Sequence, residues 1–133
     1  MALVTEDQVE LQSIEWFKEL GYDYVCGYDI APDGETPERS DYKSVVLKDR
    51  LFSALTRINP DIPQPAIAVA LSQLINPNIP ALMSANRQLH SWLTKGVKVT
   101  YHEGDQEVGK QLKVIDFDNP DYNEWLMVNQ FTI

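Results

Sequence analysis

Few side chains in this sequence are spaced for chemistry, and the acids come first. Asp116, Asp118, Asp121 and Glu124 crowd one turn-rich stretch. The opening Asp-x-Asp has the form of a calcium loop, whose alternating carboxylates surround a hard cation. Pro120 and Asp121 then stand where such a loop needs a ligand and a glycine, and Met127 takes its final acidic position. The stretch therefore reads as a turn whose side chains bond nearby backbone groups. His90, in a helical segment, and His102, at a strand end, have no recognisable catalytic partner and read as ordinary surface or half-buried residues. Cys26 lacks a basic neighbour to stabilise a thiolate and reads as an inert thiol. Neither a G-x-x-x-x-G-K-S/T phosphate loop nor a G-x-S-x-G nucleophile elbow occurs. Glu10 lies about one turn into the first helix, one position off its apolar stripe. On pattern alone it is a solvated helix-face acid.

The elements that must position these groups are legible in outline. Thr5 can cap the first helix, with Gln8 completing a T-x-x-Q box and Glu6 and Asp7 favouring the positive end of the helix dipole. Val9, Ser13, Trp16, Phe17 and Leu20 recur on one face, flanked by Leu11 and Ile14, and Gly21 ends the helix. A strand follows from Tyr22 to Cys26, and residues 27–41 read as a long polar loop. Helices are predicted over Val46–Ile58, Ala66–Ile75 and Pro80–Thr94, the second opened by Pro65 and apolar nearly all round, hence well buried. Val97, Val99 and Tyr101 alternate with polar residues as a strand, Gly104-Asp105 turns, and a return strand carries Leu112, Val114, Ile115 and Phe117. The run Trp125–Ile133 reads as a last strand, and its backbone groups require a sheet to pair with. This order makes the fold class α+β, an N-terminal helix with mixed and antiparallel strands and a helical insertion over residues 44–96.

At 133 residues, 44% hydrophobic and 23% charged, the sequence has the composition of one globular domain. It holds no membrane-length apolar run and no basic-then-apolar leader, and its single cysteine suits a reducing compartment, so a cytoplasmic protein with no membrane partner is expected. The net charge of −9 is concentrated: residues 1–42 hold 11 acids and two bases, while residues 43–133 hold nine of each. A broad DNA-binding surface needs excess Lys and Arg, so in a DNA enzyme most of the affinity must come from elsewhere.

Several motifs, in order along the chain, carry a resemblance. They are Glu10 ahead of Glu15-Trp16-Phe17-Lys18-Glu19-Leu20-Gly21-Tyr22, then Asp29-Ile30-Ala31-Pro32-Asp33-Gly34, then Pro37-Glu38-Arg39-Ser40 leading into Val45-Val46-Leu47. Arg57-Ile58-Asn59-Pro60, Leu93-Thr94-Lys95-Gly96-Val97, Ile115-Asp116-Phe117-Asp118-Asn119-Pro120 and Val128-Asn129-Gln130-Phe131-Thr132-Ile133 continue it. The chain resembles the extreme N-terminus of the R, or restriction and translocation, subunit of type I restriction–modification enzymes.

The resemblance implies a nuclease domain of the PD-(D/E)xK type, followed by ATP-dependent motor domains. Such a nuclease uses a helix-borne Glu, an Asp, and a Glu-x-Lys pair on adjacent strands, with Mg²⁺ held by the carboxylates to activate water. Glu10, eleven residues before Gly21-Tyr22, matches the helix glutamate, with Glu15 as the competitor. The family's Asp and Glu-x-Lys come after the Asn-Gln-Phe-Thr-Ile segment. The implied picture over residues 1–133 is thus an incomplete nuclease region, inactive alone and binding neither Mg²⁺ nor ATP, from a parent enzyme that uses both. DNA and the modification and specificity subunits are the implied partners. A different reading rests on charge: the acidic front could make the chain a non-enzymatic interaction module, contacting those subunits or mimicking DNA.

Overall fold

The computed structural model describes residues 3–133; Met1 and Ala2, which begin the stretch read above for a leader, lie outside them. Helix α1 spans Glu6–Glu19 and opens on the expected capping box: Gln8 N–H donates to Thr5 Oγ1 at 3.3 Å, and Thr5 N–H donates to Gln8 Oε1 at 3.0 Å. It closes as a Schellman motif. Gly21, at φ +94°, donates to the Lys18 carbonyl, and Tyr22 donates to that of Phe17. The apolar contact that accompanies such caps is the Phe17–Tyr22 ring pair, centroids 5.0 Å apart.

The chain divides into two compact units, one formed by residues up to Leu47 with Glu124–Ile133, the other by Lys48–Asn123. In the first, strand β1 (Asp23–Cys26) pairs in parallel with a strand, called β4 below, over Leu126–Asn129; Asp23 lies opposite Leu126 and Cys26 opposite Asn129. The run at the C-terminal end thus finds its backbone partner in β1. Helix α2 (Gly27–Ile30) follows β1 directly and, with Ala31 after it, is buried at Ile30, so the first four residues of the expected polar loop 27–41 are helical while 31–41 are irregular. Backbone bonds from Gly34, Thr36 and Glu38 to the carbonyls of Ala31, Asp29 and Ile30 fold that segment onto α2.

The inward face of α1 differs from its apolar stripe. Ile14 is buried and Glu10 and Ser13 are half-buried, whereas Val9, Trp16 and Leu20 are 55%, 58% and 75% exposed. Two strands of four residues offer only a narrow face. The helix turns toward it the arc that carries Glu10, for which polar partners wait there.

The second unit holds α3 (Lys48–Ile58), α4 (Gln64–Ile75) and α5 (Leu82–Lys95), then an antiparallel hairpin of β2 (Val97–Glu103) and β3 (Gln106–Leu112). Its core gathers Leu55, Ile67, Ala70, Val97, Val99 and Leu112. Helix α4 buries only Ala66, Ile67, Ala70 and Leu74; Val69 is 58% exposed, so the expected all-round burial does not hold. The return strand also lies earlier than its apolar residues suggest. A two-residue turn at Gly104-Asp105 starts β3 at Gln106, and pairing is spent by Leu112, leaving Val114, Ile115 and Phe117 beyond it.

Asn59 ends α3 and is buried. It donates to the Leu55 and Lys113 carbonyls at 2.9 and 2.8 Å and accepts from Lys113 N–H at 2.8 Å, tying the helix end to the exit of β3. A 3₁₀ turn, Pro120–Tyr122, precedes β4. Among the described residues no helix is long and apolar enough to cross a membrane.

Candidate functional site

The C-terminal end of the parallel β1–β4 pair is where polar side chains converge. Asn129 is the last residue of β4, and Gln130 follows with φ +50°, a left-handed backbone rare for a side-chain-bearing residue. That turn directs the Gln130 amide to α1. Glu10 Oε1 accepts from Asn129 Nδ2 at 2.6 Å and from Gln130 Nε2 at 3.1 Å, and Oε2 accepts from Gln130 Nε2 at 3.0 Å. The solvated acid expected from pattern is therefore a half-buried carboxylate with both oxygens engaged.

Two tyrosines orient the amides. Tyr24 Oη donates to Asn129 Oδ1 at 2.8 Å, and Tyr28 Oη donates to Gln130 Oε1 at 3.0 Å. Each amide carbonyl is thereby occupied, which turns its NH₂ toward Glu10. Burial, followed by the nearby Cys26 and then Glu10, raises the Tyr24 phenol above its ordinary 10.0. Tyr24 therefore stays a proton donor through neutral pH.

The backbone around these amides is held from two sides. A Cβ placed on Gly27 would lie 2.3 Å from the Gln130 carbonyl oxygen and 2.4 Å from that of Asn129, so only glycine lets the start of α2 approach the end of β4. On the far side Arg39 is 5% exposed. Its guanidinium lies over the Phe131 ring at 4.0 Å and donates to the carbonyls of Tyr42, Ser44 and Thr132. Charge-assisted bonds and stacking of a planar cation make such a clamp stiff. It fixes the two residues after Gln130.

The remaining candidates lie apart from this cluster. Glu15 is exposed and 3.7 Å from Lys18 Nζ. Asp116 is buried and accepts from the Asp118 and Asn119 N–H groups at 3.1 and 2.9 Å, while Asn123 bridges its backbone. That stretch is a turn of side-chain-to-backbone bonds, as read. His90 and His102 are exposed, and Cys26 is a half-buried free thiol. Among the described residues no group of three or more His, Cys, Asp or Glu is gathered to hold a metal. Asn129, Gln130, Tyr24, Tyr28 and Arg39 carried no chemical signal of their own in sequence. Only their place in quoted motifs, or beside them, marked them.

Fold and site together define an α+β chain with one helix-borne carboxylate anchored at the end of a parallel strand pair. The chain belongs to the family described as the type I restriction enzyme R protein N terminus, whose model matches residues 4–133. It is 32% identical over 133 residues to a Methanocaldococcus jannaschii protein named as the type I restriction enzyme MjaIXP endonuclease subunit, covering 99% of this chain and 13% of that one. It is 24% identical over 131 residues to the type I restriction enzyme HindI endonuclease subunit of Haemophilus influenzae, covering 98% of this chain and 12% of the relative. The chain thus spans about one eighth of the curated relatives it matches. No solved structure matches it.

Proposed function

We propose that this chain forms the first part of the nuclease region of a type I restriction endonuclease R subunit, with Glu10 as the helix carboxylate of a PD-(D/E)xK site. The observation that carries the reading is the position of Glu10. It is the acid of α1 that faces the strand pair, and three amide contacts hold it there. Glu15 points to solvent and has no such surroundings. Membership of the family supplies the endonuclease context, and the relatives' names place such subunits in restriction enzymes.

A Mg²⁺ ion takes near-octahedral oxygen coordination and usually includes more than one carboxylate or phosphate. The residues at this site do not meet that need. They offer one carboxylate with both oxygens bonded to amide N–H groups, and the amide oxygens are bonded to tyrosines. No cleavage step is therefore assigned to these residues alone. Their work is to hold Glu10 at the strand end, where further ligands supplied by the longer protein could complete a site. In that protein ATP serves the motor, DNA is the substrate, and the modification and specificity subunits are the partners, in the cytoplasm.

Incubating the 133-residue chain with plasmid DNA, Mg²⁺ and ATP tests this directly. Neither nicking nor ATP hydrolysis is expected. Cuts that disappear with Glu10→Ala would show that the chain is a nuclease in its own right. The acidic front, 11 acids against two bases in residues 1–42, supports a second reading as an interaction module. Salt-sensitive, Mg²⁺-independent binding of the isolated chain to the other subunits would favour it.

A further inference from the structure

Residues 62–102 contain no Asp or Glu, although acids outnumber bases twenty to eleven in the whole chain. Helix α5 lies within this interval and buries no residue. Leu89 and Trp92 pack against the core of their unit, and the opposite face carries Ser84, Arg87, Gln88, Ser91, Thr94 and Lys95. These six recur at three- and four-residue spacing, with His90 at the margin, and line a shallow groove of about 530 Å³. A second groove of about 340 Å³ shares Thr94 and Lys95 with the first and runs past Gly96 to Lys113 and Phe117. The two form one furrow along α5 and around its C-terminal end.

We propose that this furrow is a track for a single strand of DNA, its phosphates meeting Arg87, Lys95 and Lys113 and a base stacking on Phe117. Arg87, Ser91 and Lys95 fall four residues apart, so successive members step about 6 Å along the helix, a spacing that lets neighbouring phosphates be met in turn. Phe117 is 64% exposed and lines the second groove with Lys113, where the strand would leave the cations. Aromatic platforms beside a basic groove are how single strands are bound without sequence preference. The one acid lining the furrow is Asp118, whose contact with Lys113 Nζ is 3.9 Å and solvent-exposed, a pair readily given up to a phosphate. The track uses none of the residues around Glu10, so it stands or falls separately from the nuclease assignment.

The test is fluorescence anisotropy of the 133-residue chain with a labelled oligothymidine and with a duplex of equal length, over a salt series. Three phosphate contacts give a slope of log K against log salt of about −2 for a single strand, a roughly 20-fold loss of affinity between 50 and 200 mM salt. Arg87→Glu with Lys95→Glu is expected to abolish binding. Lys43→Glu with Lys48→Glu, which changes net charge equally, leaves most of it. Phe117→Ala weakens single-strand binding several-fold with circular dichroism unchanged. Absence of binding at low salt, equal losses in the two charge-reversed pairs, or a preference for duplex indifferent to Phe117→Ala would each overturn the proposal.

Discussion

Replacing Gly27 by alanine tests the anchoring of the site most severely. The added Cβ would sit 2.3 Å from the Gln130 carbonyl oxygen and 2.4 Å from that of Asn129. Ordinary carbon–oxygen contacts begin near 3.3 Å, so α2 and the end of β4 must part by about 1 Å. Both obstructing atoms are backbone and cannot rotate aside as a side-chain tip would. Overpacking of this kind costs about 1–3 kcal/mol, and the upper end applies here. Gly109 is the control: an added Cβ there meets nothing within 4 Å. Gly109→Ala should change stability by less than about 0.5 kcal/mol. Gly21→Ala falls between them, since its space is open but its φ of +94° is strained for a side-chain-bearing residue, at about 1–2 kcal/mol. Urea unfolding read by tryptophan fluorescence gives the order, and amide exchange at Val25 and Asn129 reports the β1–β4 pairing locally. If Gly27→Ala is as stable as Gly109→Ala and leaves exchange at Asn129 unchanged, the argument that Gly27 sets the approach of α2 to β4 is wrong.

Three further outcomes follow from single side chains. Asn59→Ala removes the partner of both the Lys113 N–H and carbonyl and should cost about 2–4 kcal/mol in chemical denaturation. Arg39→Lys keeps the charge but loses the flat contact with Phe131 and the fork to three carbonyls, for a loss of about 2 kcal/mol and faster amide exchange at Phe131 and Thr132. The hydroxyl of Tyr42, followed by its own backbone, holds Asp33 below its ordinary 3.8, and the Ser44 hydroxyl and then its N–H do the same for Asp41. A depressed carboxylate stabilises the fold fully above the unfolded value and loses that contribution as pH falls through the folded one. Tyr42→Phe should therefore move the Asp33 carboxyl resonance midpoint upward and leave Asp41 in place, with stability differing from the parent most above pH 4 and converging below it.

What was legible in the sequence was local. The capping box of Thr5 and Gln8, the stop at Gly21, the break at Asn59-Pro60 and the turn at Gly104-Asp105 are each specified within a few residues, and each stands where expected. Glu10 was marked by resemblance, yet its surroundings were not legible. Its partners Asn129 and Gln130 lie 119 and 120 residues away and meet it only because β1 and β4 pair in parallel across the whole intervening chain. The apolar stripe of α1 misled for the same reason, because burial is decided by the width of a sheet assembled from distant segments. Strand β3 was misplaced because, Val108 and Leu112 apart, its paired residues are not apolar and lie exposed, while the apolar Val114, Ile115 and Phe117 fall after pairing ends. Arg39 is the opposite case. It is one of two bases in the acidic front with no apolar pattern around it, and only the fold shows it buried against Phe131.

We have proposed Glu10, and not Glu15, as the helix carboxylate of an R-subunit nuclease. The direct measurement is DNA cleavage by the full-length R subunit assembled with its partner subunits, comparing Glu10→Ala with Glu15→Ala and following ATP hydrolysis in parallel. Glu10→Ala should reduce cleavage by at least about 100-fold, the scale of losing a group that acts in the transition state, with ATP hydrolysis retained. Glu15→Ala should leave both near the parent level. Full cleavage by Glu10→Ala, or loss with Glu15→Ala alone, would overturn the assignment of Glu10.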